Sequence, residues 1–387
     1  MTDPVAEVVS LYERLSQEGT FANSPLRQQL EKLSPQDAQR LYRTCMDDPL
    51  HHRTMTLLGI LHYWGIGVEK DAKKSIEWLT GSASLGNADA IYRLGYCHST
   101  GTGVPQDHEV ARRLYRHSAE LGHSEAMRNL GVTYLLGEGI PVDLDKAIEW
   151  FTQSAHRGNR DAMNNLGLRL SDRGDHVGAV AWFEKGVSLG CPDTMHNLGL
   201  RYLQGQGVEK DLNKAIELFQ RSADLGNPKA MNCLGFRYKK GEGVERDPAQ
   251  ALAWFRKSAS AGNEAGMYNV ANRIVEDDPI EALWLYTRAL DLFKDETNKE
   301  NCADVIEDLL ARKSVSLPVL REWIRLRDEN AVLRAQVNGL KTEVDDLKTE
   351  VSFRPGGDGY SSARDHFESL VAGPRRQTVP RSGSAES

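Results

Sequence analysis

Several residues in this chain have the type and spacing to do chemistry. In NLGVTYLLGEGIPVDLDKAIEWF, residues 129–151, Gly137 and Gly139 form a Gly-x-Gly just ahead of a helical pattern, an arrangement that can bring backbone amides up to a phosphate. Cys97 and His98 adjoin as a nucleophile and base might, and eleven histidines are available as ligands. Each of these readings then fails on what surrounds it. A phosphate loop needs a Lys followed by Ser or Thr after its glycines, and no glycine pair here has one. Adjacent residues on a helix point in different directions, so Cys97 and His98 do not face one another. The histidines are scattered, with no H-E-x-x-H, and there is no G-x-S-x-G elbow. The expectation is a protein with no catalytic residues, no metal site and no cofactor.

The glycine pair is one of a series. Gly-x-Gly occurs at Gly65/Gly67, Gly101/Gly103, Gly137/Gly139, Gly205/Gly207 and Gly241/Gly243, with copies 36 residues apart except the third and fourth, which are 68 apart. An intervening unit has therefore lost four residues and its glycines. A device repeated between the same two helices is a turn, with glycine supplying backbone angles that other residues avoid. Within one unit, Ala126, Leu130 and Tyr134 place a stripe on a first helix, and Ala147, Trp150, Phe151 and Ala155 place one on a second. Asp71, Asp107, Asp143, Asp211 and Asp247 fall where second helices begin, and are expected to cap them. Gly86, Gly122, Gly158, Gly190, Gly226 and Gly262, mostly followed by Asn or another polar residue, are expected to stop them.

This pattern resembles the Sel1-like repeats, relatives of the tetratricopeptide repeats with a longer link between paired helices. The resemblance spans residues 53–292, about seven units. It implies an all-α fold, a right-handed superhelical α-solenoid of helix-turn-helix repeats. Two units have ordinary tetratricopeptide links: residues 160–191, where Leu166 to Ala179 spans 13 positions against 17 in full units, and the unit holding EALWLYTRAL at 281–290. In tetratricopeptide arrays the first helices line the concave face. By that resemblance the groove holds Tyr63, Trp64, Tyr92, Tyr96, Arg128, Asn164, Leu168, His196, Asn232, Phe236 and Lys239. Aromatic residues dominate one end and basic ones the other, a mixture suited to a peptide or partner helix carrying acidic groups near Lys239 and Lys240. Asn129, Asn165 and Asn197 recur just before the Leu anchor and are expected to be framework.

Residues 1–52 carry short helical patterns expected to cap the array, and 293–316 a capping helix and linker. Residues 317–353 read as a coiled coil. Trp323, Asn330, Val337 and Val344 fall at position a, and Leu326, Leu333, Leu340 and Leu347 at d. β-branched residues at a with Leu at d favour two parallel strands, and Asn330 fixes register. Glu322, Glu329, Gln336 and Glu343 at g meet Arg327, Arg334, Lys341 and Lys348 at e, which selects a parallel homodimer. Residues 354–387 are rich in Gly, Pro, Ser and Arg and read as a disordered tail.

A formal net charge of -7 with no basic block argues against nucleic acid. No apolar run approaches the roughly 18 residues a membrane helix needs, and the first residues do not resemble a secretory signal. Five separated cysteines without C-x-x-C read as reduced thiols of a cytoplasmic protein. The function expected is a non-enzymatic adaptor or scaffold that binds a protein or peptide ligand in its groove and dimerises through the coil. The alternative is a structural tether or hetero-oligomerisation subunit with the array as spacer, and an enzyme with an unrecognised site ranks last.

Overall fold

A computed structural model describes residues 3–18 and 23–313. The chain divides into two compact units, Met1–Cys302 and Ala303–Ser387. Among the described residues every regular element is helical. Three helices come first: α1 (Pro4–Glu18), α2 (Asn23–Glu31) and α3 (Pro35–Asp47). Helical pairs follow, each a first and a second helix: α4 (His52–Trp64) with α5 (Ala72–Ser84), α6 (Ala88–Thr100) with α7 (His108–Glu120), and α8 (Ser124–Leu136) with α9 (Leu144–His156). Then come α10 (Arg160–Asp172) with α11 (His176–Ser188), α12 (Pro192–Gln204) with α13 (Leu212–Asp224), α14 (Pro228–Lys240) with α15 (Pro248–Ser260), and α16 (Glu264–Ile274) with α17 (Pro279–Leu292). A final helix, α18 (Glu296–Lys313), runs from the first unit into the second. The expected coiled coil at 317–353, including Trp323, Leu326, Asn330, Leu333, Val337, Leu340, Val344 and Leu347, lies outside the described residues, as does the tail.

Local chemistry sets most boundaries in the array. Asp143 accepts from the Lys146 amide at the start of α9, and Asp71, Asp107, Asp211 and Asp247 do the same for their helices. The shortened units keep the device with Asp175 and Asp278. Most second helices end two residues before a left-handed glycine, and the residue after it does more than stop the helix. Asn87, Asn159, Asn227 and Asn263 cap the next first helix with their side-chain oxygens, and His123 does so with its ring nitrogen. One polar residue thus ends a unit and begins the next.

Within a pair, the two helices approach closely because glycine follows the Leu anchor. A Cβ at Gly167 would lie 2.4 Å from the Phe183 ring, so the ring takes the space a side chain would need. Each hydrophobic cluster is a stack of such pieces: Tyr134, Ala147, Phe151, Ala155, Ala162, Met163 and Leu166 form one that crosses from the third pair to the fourth. Within a unit, a buried serine on the second helix also pins the start of the first. Ser154 on α9 donates to the Ser124 carbonyl at 2.7 Å, and Ser118, Ser222 and Ser258 donate to Ala88, Pro192 and Pro228 in the same way.

Neighbouring first helices touch directly, α10 with α12 and α14 with α16, and no two second helices touch to that extent. At the amino-terminal end, α1, α2 and α3 share one core with α4, in which Val8, Tyr12, Leu26, Leu30 and Leu41 pack on Leu57, Leu58 and Leu61.

Candidate functional site

The features that first suggested chemistry are used up in the architecture. Gly137 is the left-handed cap of α8, and its amide donates to the Thr133 carbonyl at 3.0 Å. The first-turn amides of α9 are drawn to Asp143. Cys97 is buried, and burial pushes its thiol up to about 11, which removes the thiolate a nucleophile requires. Among the described residues no group of three or more His, Cys, Asp or Glu is placed to hold a metal, and no helix is long and apolar enough to cross a membrane.

What the first helices do build is a cleft at the amino-terminal end of their row. It encloses about 180 Å³, with Arg27, Tyr63, Trp64 and Tyr96 at its rim and Gly59, Ile60, Leu79 and Tyr92 beneath. Tyr63 and Trp64 are edge-to-face, 6.3 Å between centroids at 75°, and the Arg27 guanidinium stands 5.7 Å from the Trp64 ring. Tyr96 is 42% exposed. Arg93 reaches the same cleft but is held from behind by Asp89 at 3.0 Å. Asp89 is fully buried, and also takes a hydrogen bond from the Tyr12 hydroxyl of α1 at 3.4 Å and faces His123 at 3.5 Å. Burial pushes the Asp89 carboxyl up, but Arg93 and His123 outweigh it and hold it below the ordinary range.

The remaining groove residues divide. Arg128 is partly exposed and bonded to Glu125 at 2.9 Å. Asn164 and Asn232 tie the row together, accepting from Asn197 at 2.7 Å and from Asn269 at 2.9 Å. Leu168 and Phe236 are half-buried, Phe236 with its ring edge-on to Phe255 at 5.3 Å, and Lys239 is exposed. Two expectations need correction. Tyr92 is 3% and His196 8% exposed, so neither presents a surface to a partner. Their position, two before the Leu anchor, points at the adjacent first helix: Tyr92 stacks on His123 at 4.7 Å, and His196 lies against Phe219 and the Cys233 thiol. Burial lowers the His196 imidazole to about 4.

Arg27 was missed because nothing in its own segment places it over Trp64; that contact exists only once α2 folds onto α4. The serines of the second helices were missed although their recurrence is visible, since the apolar stripe beside them masks it. A second cleft, near Lys239, was anticipated only in its sign of charge.

The Sel1 repeat family model matches residues 52–87, 88–123, 124–159, 160–191, 192–227, 228–263 and 266–292. No curated protein matches the chain. Among solved structures, a Sel1 repeat protein from Oxalobacter formigenes is similar, with 25% identity and a TM-score of 0.51, over 67% of this chain and 97% of that one. A protective antigen of uropathogenic Escherichia coli strains, with an SLR fold, is 25% identical over 72% of this chain and 68% of that one, at a TM-score of 0.37. With seven matched units in unbroken or nearly unbroken succession, and paired helices that close on one another through glycine as the repeat demands, the chain belongs to the Sel1 repeat family, whose solenoids generally serve protein–protein interaction.

Proposed function

We propose that this protein is a non-enzymatic adaptor that grips a partner protein on the row of first helices and joins two such arrays through the heptads of residues 317–353. The observation that carries the reading is the cleft of Arg27, Tyr63, Trp64 and Tyr96. Aromatic and Arg side chains at the rim of a pre-formed apolar hollow are the groups that dominate recognition energetics, since they bury large area while losing little conformational freedom. The heptad pattern supports a parallel homodimer, and two modest sites joined in this way gain avidity toward a multivalent partner.

The test is affinity capture with the intact protein beside a Tyr63→Ala/Tyr96→Ala variant of equal helical content. Partners should be retained by the first and released by the second. Retention of all partners by the variant would place the binding surface elsewhere. Light scattering on the full chain and on one lacking residues 317–353 checks the second half: a dimer that becomes a monomer is expected, and a monomer in both would favour the tether.

A further inference from the structure

The other end of the row holds a second cleft, and its origin lies in a missing turn. In full units, the second glycine of the turn closes over the start of the preceding second helix. A Cβ at Gly103 would lie 2.8 Å from the Ala72 carbonyl oxygen, at Gly207 2.3 Å from that of His176, and at Gly139 3.3 Å from the His108 side chain. The unit following α15 has no glycine pair, so nothing equivalent covers Pro248 at the start of that helix. A cleft of about 330 Å³ opens there, with Pro248, Ala251, Leu252 and Phe255 as its apolar side.

Its polar side is cationic. Lys239 from the end of α14, Arg246 from the turn and Arg273 from α16 converge on it, together with the amides of Asn269 and Asn272. Two neighbouring carboxylates are committed elsewhere: Asp247 caps α15, and Glu242 pairs with Arg237 and Lys240. Among the described residues Lys239 and Arg246 form no ion pair, and Arg273 has only the exposed Asp277 at 3.4 Å, a pair readily exchanged for another carboxylate. Asn272 accepts from the Tyr286 hydroxyl at 2.7 Å, and its amide nitrogen is left to donate. This is a concentration of positive charge on a chain whose formal net charge is -7.

We infer that this cleft docks an acidic peptide segment of a partner protein, with carboxylates on Lys239, Arg246 and Arg273 and an apolar side chain against Leu252. The inference rests on the array being a protein-binding surface and adds the chemistry of what is bound. Charge complementarity selects the occupant, and the apolar wall asks for a side chain that a bare anion lacks.

Fluorescence anisotropy on the full chain tests it, using labelled short peptides in which Glu and Asp flank a Leu, matched peptides with Gln and Asn in their place, and a single-stranded oligonucleotide. The acidic peptide should bind, weaken with salt, and lose about tenfold in affinity with Lys239→Glu/Arg246→Glu. The milder Arg246→Gln should lose part of that and guards against misfolding. Equal binding of the amide peptide, indifference to both variants, or preference for the oligonucleotide would overturn the inference. The Tyr63→Ala/Tyr96→Ala variant separates the two sites. If it releases partners while no acidic peptide binds, only this inference fails; if it keeps every partner and the Lys239/Arg246 variant loses them, the amino-terminal cleft is the reading that fails.

Discussion

The turns at residues 205–211 and 173–175 join helices of equal length, 13 residues each, yet do different work. The longer one carries Gly205 and Gly207, both left-handed, and lays its second glycine against the backbone of the preceding second helix. The shorter reverses the chain through Gly174, which meets nothing within 4 Å, and leaves the helix before it uncovered. The uncovered helix is α9, and Val142 and Leu144 at its start are exposed. There Arg173 reaches across to Asp145. After α15 the same omission has no such bridge, and a cationic cleft remains. Dropping a few residues from a repeat therefore leaves its helices intact and changes the surface of the repeat before it.

The sharpest way to break this comparison is to add one methyl group at two glycines of like conformation. Gly207 and Gly190 have φ of 74° and 72°, but only Gly207 is crowded, whereas nothing lies within 4 Å of a Cβ at Gly190. Gly207→Ala should cost about 3 kcal/mol, from left-handed strain plus a backbone clash, and Gly190→Ala about 1 kcal/mol. Urea denaturation measures both; equal losses would mean that the long turn supplies angles only. A second test uses the position two before the Leu anchor, where Tyr92 and His196 are buried but only His196 has a side chain that titrates near neutrality once unfolded. Folding keeps His196 neutral, so its contribution is complete above pH 6.5 and is lost as pH falls toward about 4. The wild type should lose on the order of 3 kcal/mol more than His196→Asn across that window. Parallel pH profiles would show that the ring is solvated. The smallest effect is expected from Ser154→Ala, about 1 kcal/mol for a lost hydrogen bond between the two helices of one unit. In the shortened unit Gly186 holds the serine's place and has no hydroxyl, so no such bond is at stake; a Cβ there would lie 2.4 Å from Thr194 of the next unit.

The periodic part of this molecule was legible in its sequence. Leu130, Gly131, Tyr134, Asp143 and Phe151 recur at fixed spacing, and spacing fixes helix faces, caps and the solenoid, because each depends on residues a few positions apart or one unit away. The aperiodic part was not. Whether Tyr92 and Tyr96, one helical turn apart, would be core or rim was decided by how near α8 lies to α6, and that distance depends on every glycine contact in between. Arg27 over Trp64 depends on where α2 comes to rest, and the cleft at Pro248 on a turn that the following unit lacks. Sequence by itself determined what each unit is, since local hydrogen bonding and apolar periodicity are short-ranged. Only the tertiary structure decided what the array offers to a partner, because exposed surface is whatever packing between distant segments leaves uncovered.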